Sequence, residues 1–284
     1  MDIQKIGIVG SGTMGSGIAQ VAAHAGSFEV LLCDVEQRFL DRGMETIRKG
    51  LSRIVQKGGM DEQGMQAVLA RITTTTDLTA LAQTDFIIEA ASENLQIKEK
   101  IFRTLDGLCP PDKVLASKTS TIAITRLASF TAHPDRVVGM HFFNPAPVMK
   151  LVELTRGLNT GEPALATARA VATRMGKTAV DVHDSPGFIV NRVLVPMINE
   201  AAYLLMEGVA EPAAIDEAMK LGAAHPMGPL VLADLIGLDV CLSIMEILQA
   251  EFGEDKYRPC PLLRRYVEAG RLGRKTGRGF FEYQ

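Results

Sequence analysis

The sequence predicts an α/β domain over residues 1–185, followed by an all-α domain over residues 186–284. Two observations support this division. In the first part, short runs rich in β-branched residues alternate with longer helical patterns, which is typical of a parallel sheet covered by helices. After the turn residues Asp-Ser-Pro-Gly at 184–187, the strand patterns stop, and Ala, Leu, Met and Glu recur at helical spacing.

The predicted strands of the first domain are short, and helical stretches or turns separate them. Helical patterns such as MGSGIAQVAAHAG and ENLQIKEKIFRTLDGL lie between them. Because parallel strands need such crossover segments, the alternation favours a mostly parallel sheet. The strand sequences, in chain order, are KIGIVG, EVLLCD, RITTTT, FIIEAA, KVLASKT, RVVGMHF and KLVELT.

The composition is that of an ordinary globular protein. Apolar residues make up 47% and charged residues 22% of the 284 positions, within the usual range. The formal net charge of -3 argues against binding nucleic acid through bulk charge. The amino terminus lacks a signal-peptide pattern, and no apolar run reaches about 18 residues. We therefore expect a cytoplasmic protein that does not enter a membrane.

The cysteines are predicted to be free thiols. Cys33, Cys109, Cys241 and Cys260 lie far apart, with no CxxC pair and no histidine at metal-ligand spacing. This distribution is typical of a reducing compartment, and it fits neither a disulfide framework nor a zinc site. We therefore expect no metal centre.

A glycine-rich loop follows the first predicted strand. The sequence IGIVGSGTMGSGIAQ contains the pattern GxGxxG between a strand and a helix, where glycines allow a pyrophosphate to approach the helix N-terminus. The next strand ends at Asp34, whose carboxylate can hold ribose hydroxyls and would repel a 2′-phosphate. A Rossmann-type domain that binds NAD is therefore favoured over a loop without ligand. The cofactor residues predicted here are Gly10, Gly12, Thr13, Met14, Gly15 and Asp34.

Two titratable residues lie on predicted strands that a short loop connects. His141 is near the end of RVVGMHF, Glu153 is in KLVELT, and the loop NPAP joins these strands. Burying either group alone is costly, so we expect the two to meet. We hypothesise that Glu153 orients the imidazole and that His141 acts as a general acid and base. A purely structural histidine is the alternative.

Several segments form a series that runs along the whole chain. Besides the glycine loop, they are ASKTST, HFFNPAPVMKLVEL, DSPGFIVNRVLVPMINEA, HPMGPLVLADLIGLD and GRKTGRGFFEY. In this order they resemble the L-3-hydroxyacyl-CoA dehydrogenase family, and within it the bacterial enzymes for 3-hydroxybutyryl-CoA. The resemblance implies reversible, NAD-dependent oxidation of an (S)-3-hydroxyacyl-CoA to the 3-ketoacyl-CoA. It also implies a homodimer formed through the C-terminal domain.

The resemblance further implies roles for individual residues. His141 and Glu153 match the family's catalytic base and its carboxylate partner. Ser120 and Asn191 match the polar residues that hold the substrate's oxygen atoms. The positions implied to contact NAD are Glu93, Lys98, Ser120, Asn144 and Lys275. The positions implied to contact the acyl-CoA are Lys57, Ser120 and Asn191.

One position departs from the family pattern. Lys118 stands in the segment Ser-Lys-Thr-Ser at 117–120, where the family usually has asparagine. The lysine adds a positive charge near the expected nicotinamide and acyl sites. This charge would affect substrate preference and the electrostatics around His141.

A row of basic residues lies on the helix predicted after Asp34. Lys49, Arg53 and Lys57 recur every four residues and so share one face. Such a row is usually a solvated surface, but it would also attract the phosphates of coenzyme A. Following the resemblance, we assign Lys57 to coenzyme A and leave Lys49 and Arg53 unassigned.

Two other functions fit parts of the pattern. A dehydrogenase for another β-hydroxyacid could share the fold, although it would not need the basic row. A non-catalytic, crystallin-like NAD-binding protein would be expected to lack His141, Glu153 or Asn191, and all three are present. Acyl chain length stays open, because small apolar differences in a pocket contribute only about 1–3 kcal/mol.

Overall fold

An eight-stranded sheet forms the centre of the first of two units, whose boundary lies between Ser185 and Pro186. The computed structural model that shows these elements describes residues 2–283. The strands are β1 (Lys5–Val9), β2 (Glu29–Cys33), β3 (Ile72–Thr75), β4 (Phe86–Glu89), β5 (Leu115–Ser117), β6 (Val137–Phe142), β7 (Leu151–Arg156) and β8 (Thr178–His183).

The strands lie in the order β3-β2-β1-β4-β5-β6-β7-β8 across the sheet. All neighbouring strands from β3 to β6 are parallel to each other. Strand β7 is antiparallel to β6, and β8 is parallel to β7. The strand order reverses between β1 and β4, which is where sheets of this kind bind ligands. The predicted Rossmann-type sheet is confirmed, with β7 and β8 added at one edge in the opposite direction.

Apolar side chains on the two faces of this sheet belong to two separate buried clusters. Ile8 packs in a cluster with Ile18 and Ile47, whereas its neighbour Val9 packs in another with Phe102 and Leu127. Consecutive strand residues point to opposite faces, so both faces need a helical cover. The helices of this unit are α1 (Thr13–His24), α2 (Gln37–Gln56), α3 (Glu62–Ala70), α4 (Leu95–Leu108), α5 (Ile124–Ala128) and α6 (Glu162–Arg174).

The second unit is helical, as predicted for this part of the chain. Its apolar residues form one cluster that includes Leu230, Met245 and Leu263. The carboxylate of Asp234 accepts the backbone N–H groups of Phe280 and Phe281, each at 2.9 Å, and so holds the C-terminal segment against these helices. The helices are α7 (Val190–Met206), α8 (Pro212–Gly222), α9 (Pro229–Ile236), α10 (Leu238–Phe252) and α11 (Pro261–Glu268).

Residues 2–283 contain neither a membrane-spanning helix nor a cluster of metal-ligating side chains. None of the helices in this range has the length and apolar character needed to cross a membrane. The same residues contain no cluster of three or more His, Cys, Asp or Glu side chains placed to hold a metal ion. All four cysteines are free and buried, which confirms the predicted thiols. Burial is the main cause that raises the pKa of Cys33 to about 11.

Candidate active site

The glycine loop joins β1 to α1 in a tight turn. Gly10 has a φ of +100°, a backbone conformation that residues with a side chain rarely adopt. A Cβ atom on Gly15 would lie 1.8 Å from the Gly10 carbonyl oxygen. A Cβ atom on Gly12 would meet nothing within 4 Å, so the loop has open space beside the start of α1. Gly12 precedes the helix without a side-chain cap, and Thr13 and Met14 form its first turn. The space and the N–H groups of that turn fit a pyrophosphate.

Asp34 follows β2 and is bound to the glycine loop. Its Oδ2 accepts hydrogen bonds from the backbone N–H and the hydroxyl group of Ser11, each at 2.7 Å. Its Oδ1 accepts the N–H of Val35 at 2.7 Å. The carboxylate is therefore held at the position where folds of this kind bind the adenosine ribose. Sequence reasoning missed Ser11, although it lies inside the GxGxxG pattern.

His141 and Glu153 are direct partners across the antiparallel pair of β6 and β7. Nδ1 of His141 lies 2.6 Å from Oε2 of Glu153, and the two residues are 6% and 0% exposed. The ring of Phe143 packs beside the imidazole, with 4.6 Å between the ring centroids. A buried carboxylate on Nδ1 orients the imidazole and stabilises its protonated form. The structure thus brings together the two residues that the sequence places 12 positions apart.

A buried ion pair lies at the carboxyl end of β4. Nζ of Lys98 is 2.7 Å and 2.8 Å from the two carboxylate oxygens of Glu89, and both side chains are almost fully buried. Glu89 also accepts hydrogen bonds from the Ser117 hydroxyl at 2.6 Å and the Ala91 N–H at 2.7 Å. The predicted NAD contact Lys98 therefore points its ammonium at Glu89, a partner that sequence reasoning missed.

Glu93 connects this ion pair to the loop that carries Ser120. Oε1 of Glu93 accepts the backbone N–H groups of Ser120 at 3.0 Å and Thr121 at 3.3 Å. The hydroxyl groups of Thr119 and Thr121 bind the same oxygen. Oε2 lies 3.3 Å from Nζ of Lys118. The predicted NAD contact Glu93 thus holds the Ser120 loop in place.

Replacing Glu93 with glutamine is expected to lower stability by an amount that depends on pH. Burial by itself raises the pKa of Glu93, while the ammonium groups of Lys98 and Lys118 lower it. Together with hydrogen bonds from Thr119 and Ser120, they bring the pKa of Glu93 from 4.5 down to about 2. The ionised carboxylate therefore stabilises the fold above pH 4.5, and this contribution is lost as the pH falls toward 2. We expect a loss of roughly 1–3 kcal/mol at neutral pH.

Urea unfolding of the wild type and the Glu93→Gln variant, from neutral pH to about pH 3.5, measures this difference in stability. Glu99→Gln is the matched control, because Glu99 pairs with Arg103 along the exposed side of α4. Ion pairs of that kind contribute only about 0–1 kcal/mol. A difference between the Glu93→Gln variant and the wild type that stays constant as the pH falls would contradict the assignment.

The loop between β6 and β7 carries the predicted NAD contact Asn144. Asn144 is exposed and is joined to Pro145 by a cis peptide bond. Nζ of Lys177 donates hydrogen bonds to the carbonyl oxygens of Ala146 at 2.6 Å and Met149 at 2.8 Å. Lys177 thus anchors the loop from outside it. Lys177 lies between α6 and β8, and no pattern in the sequence around it indicates this contact.

The predicted basic row lies on α2 as expected. Lys49 and Arg53 are exposed on this helix, and Lys57 is the exposed residue that caps its C-terminus. Lys49 and Arg53 also line a shallow surface groove together with Arg48. Lys49 forms an ion pair with Glu45 at 2.6 Å. The contact of Lys57 with coenzyme A stays a prediction.

Two predicted site residues belong to the second unit. Asn191 is the second residue of α7 and is half-buried. Nζ of Lys275 lies 2.6 Å and 2.7 Å from the carboxylate oxygens of Asp239 on α10. Asp239 was not predicted from the sequence. The roles of Asn191 and Lys275 toward substrate and cofactor stay predictions.

Two sequence profiles of one protein family cover almost all of this chain. The profile described as "3-hydroxyacyl-CoA dehydrogenase, NAD binding domain" matches residues 5–185, and that of the C-terminal domain matches residues 187–283. The chain belongs to the 3-hydroxyacyl-CoA dehydrogenase family. The resemblance noted in the sequence is thereby confirmed.

Individual 3-hydroxyacyl-CoA dehydrogenases are similar along the whole chain. A probable 3-hydroxybutyryl-CoA dehydrogenase of Bacillus subtilis (strain 168) is 54% identical over 284 residues, which are 100% of this chain and 99% of the relative. The 3-hydroxyadipyl-CoA dehydrogenase of Escherichia coli (strain K12) is 42% identical, and the match spans 100% of this chain and 60% of the relative. The crystal structure of (S)-3-hydroxybutyryl-CoA dehydrogenase from Ralstonia eutropha has a TM-score of 0.95 at 49% identity, over 100% of both chains.

Membership in the 3-hydroxyacyl-CoA dehydrogenase family gives the class of reaction and the cofactor. The protein is an NAD-dependent enzyme that oxidises 3-hydroxyacyl-CoA thioesters. This confirms the cofactor predicted from the glycine loop and Asp34. The open space at Gly12 and the anchored carboxylate of Asp34 both fit that dinucleotide.

Proposed function

We propose that this enzyme reversibly oxidises (S)-3-hydroxybutyryl-CoA to acetoacetyl-CoA, with His141 as general base and Glu153 as its orienting partner. The observation that supports these roles is the 2.6 Å contact between Nδ1 of His141 and Oε2 of Glu153. The contact is buried, so solvent screens the pair little. The preference for a four-carbon acyl group is supported by the names of the similar Bacillus and Ralstonia proteins.

The proton of the substrate hydroxyl group goes to His141. Glu153 binds Nδ1, so Nε2 is the nitrogen that takes this proton, and the carboxylate stabilises the resulting imidazolium. NAD, when bound, accepts the hydride that leaves C3 of the substrate. In the reverse direction, the imidazolium returns its proton to the ketone oxygen. The burial of both side chains keeps water from competing for the Nδ1 contact.

Ser120 and Asn191 are proposed to position the reacting oxygen atoms. Ser120 is half-buried, and its backbone N–H is bound by Glu93 at 3.0 Å. Ser120 follows the carboxyl end of β5 by three residues, and ligands bind at such strand ends in sheets of this kind. Asn191 offers an amide at the start of α7. Hydrogen bonds from these side chains would polarise the ketone and thioester carbonyls.

Further residues are proposed to contact coenzyme A and NAD. Lys57, exposed at the end of α2, would bind a phosphate of coenzyme A as a point charge. Lys98 is buried on Glu89, so we propose that it acts on NAD by supporting Glu93. The other proposed NAD contacts are Ser120, Asn144 and Lys275.

We also infer a homodimer formed through the second unit. Several large apolar side chains on its helices are exposed, and a second copy of the chain is the partner that we propose for them. Burying such residues against a second copy would stabilise the pair. Light scattering of the purified protein measures the mass that decides this point. The exposed fractions are 69% for Val193, 78% for Leu221, 49% for Leu235 and 41% for Val240.

The substrate proposal is tested by NADH consumption with four ketones: acetoacetyl-CoA, free acetoacetate, a longer 3-ketoacyl-CoA and 3-ketoadipyl-CoA. We expect acetoacetyl-CoA to turn over fastest and free acetoacetate to show almost no turnover, because it lacks the coenzyme A group. Faster turnover of 3-ketoadipyl-CoA, the product type of the similar Escherichia coli enzyme, would replace the four-carbon assignment. Turnover of free acetoacetate at a comparable rate would contradict the role given to coenzyme A.

A further inference from the structure

Four charged side chains form one continuous cluster at the carboxyl ends of β4 and β5. Nζ of Lys98 lies 2.7 Å from Glu89 and 3.5 Å from Oε2 of Glu93. Nζ of Lys118 lies 3.3 Å from the same oxygen of Glu93. Two carboxylates and two ammonium groups alternate, so this β4–β5 charge cluster is neutral as a whole.

Lys118 is the member of the β4–β5 charge cluster that completes its charge balance. Glu89 and Lys98 neutralise each other through two short contacts, so the charge of Glu93 is balanced by Lys118. The side chains of Glu93 and Lys118 are only 27% and 16% exposed, which limits screening by water and salt. Without Lys118, the cluster would carry one net negative charge.

The β4–β5 charge cluster lies in the half of the sheet that is expected to receive the nicotinamide. Sheets of this kind bind the two halves of a dinucleotide on either side of the point where the strand order reverses. That point lies between β1 and β4. The glycine loop and Asp34 follow β1 and β2, so they belong to the adenosine half. The ends of β4, β5 and β6, which carry Glu89, Ser117 and His141, therefore belong to the nicotinamide half.

We propose that Lys118 sets the relative affinity of this enzyme for NADH and NAD+. The nicotinamide ring is cationic in NAD+ and neutral in NADH, so the net charge of its surroundings acts on one form only. A neutral cluster gives NAD+ no electrostatic advantage. If Lys118 were removed, the unbalanced carboxylate of Glu93 would attract the cationic ring and tighten NAD+ binding alone. The inference rests on the proposed function in placing the nicotinamide at the same end of the sheet as His141.

The ratio of the dissociation constants of NAD+ and NADH tests this inference without turnover. NADH fluorescence titration gives one constant, and displacement of NADH by NAD+ gives the other. We expect the ratio Kd(NAD+)/Kd(NADH) to fall on the order of tenfold in Lys118→Gln, the effect of one unit charge acting across about 10 Å at an effective dielectric constant of about 20. Lys118→Arg keeps the charge, and its ratio should stay close to that of the wild type.

Two further variants make the outcome specific to this cluster. Glu93→Gln leaves the cluster with one net positive charge, so the ratio should move in the opposite direction and rise. Lys100→Gln removes a positive charge from an exposed position on the same helix as Lys98 and should leave the ratio unchanged. The Glu93→Gln variant also tests the inference if Lys118→Gln does not fold.

Equal weakening of both cofactors in Lys118→Gln would show a merely structural role and overturn the inference. An unchanged ratio in that variant, or shifts of the same sign in Lys118→Gln and Glu93→Gln, would also overturn it. A wild type that binds NADH but does not reduce acetoacetyl-CoA would contradict the proposed substrate alone, because the ratio needs no turnover. A wild type that binds neither cofactor would overturn both.

Discussion

Replacing His141 with asparagine is expected to lower kcat about 1000-fold, within the range of about 100- to 10000-fold that general acid–base catalysis contributes. Asparagine cannot accept the substrate proton, while its amide can still fill part of the space beside Glu153. The binding of NADH should change little, because His141 is proposed to act on the substrate. Stopped-flow reduction of acetoacetyl-CoA, together with NADH titration, measures both properties.

Two further variants help to interpret a loss of activity in His141→Asn: one is a control, and the other tests the orienting carboxylate. His183→Asn changes an exposed histidine at the end of β8 and should leave kcat unchanged. Glu153→Gln removes the orienting charge but keeps the shape, so we expect a smaller loss, about 10- to 100-fold, and an altered pH profile. Turnover and a pH profile equal to those of the wild type in Glu153→Gln would exclude the orienting role of that carboxylate.

Replacing Lys98 with methionine is expected to destabilise the first unit by about 3–5 kcal/mol, because it leaves a buried carboxylate without its cation. Glu89 is 1% exposed and receives two contacts from Lys98, at 2.7 Å and 2.8 Å. The hydrogen bonds from Ser117 and Ala91 cannot neutralise its charge. This change should exceed the effect of any exposed ion pair in the molecule, since exposed pairs contribute about 0–1 kcal/mol.

Urea unfolding of the Lys98→Met variant, followed by circular dichroism, measures the loss of stability. The double variant Lys98→Met with Glu89→Gln removes both charges and should recover a large part of it. Lys100→Met is the control on the exposed side of α4, where substitutions change stability by about 0.5 kcal/mol or less. A double variant that is less stable than Lys98→Met would show that charge pairing is not the reason for the loss.

Much of the fold could be predicted because its signals are local. The period of apolar residues separates strands from helices, and it changes at the Asp-Ser-Pro-Gly turn, within which the boundary between the two units lies. The glycine loop is equally local, because a side chain at Gly15 would collide with the Gly10 carbonyl. These features depend on a few neighbouring residues, so the order of residues is enough to predict them.

Which side chains contact each other within the site could be predicted only in part. His141 could be expected to meet Glu153, because one short loop joins their strands, but the antiparallel register of β6 and β7 decides that they face each other directly. Resemblance suggested Glu93 and Lys98 as separate contacts of NAD, whereas the structure joins them to Glu89 and Lys118 in one charge cluster.

The sequence by itself therefore determined the class of fold, the glycine loop and the residue types available for chemistry. Only the tertiary structure decided that Lys118 meets these carboxylates: Glu89 and Glu93 lie at the end of β4 and in the loop after it, and the parallel pairing of β4 with β5 brings Lys118, which follows β5, beside them. The free energy of a buried charge depends on such neighbours far more than on adjacent residues in the chain. No local pattern contains that information.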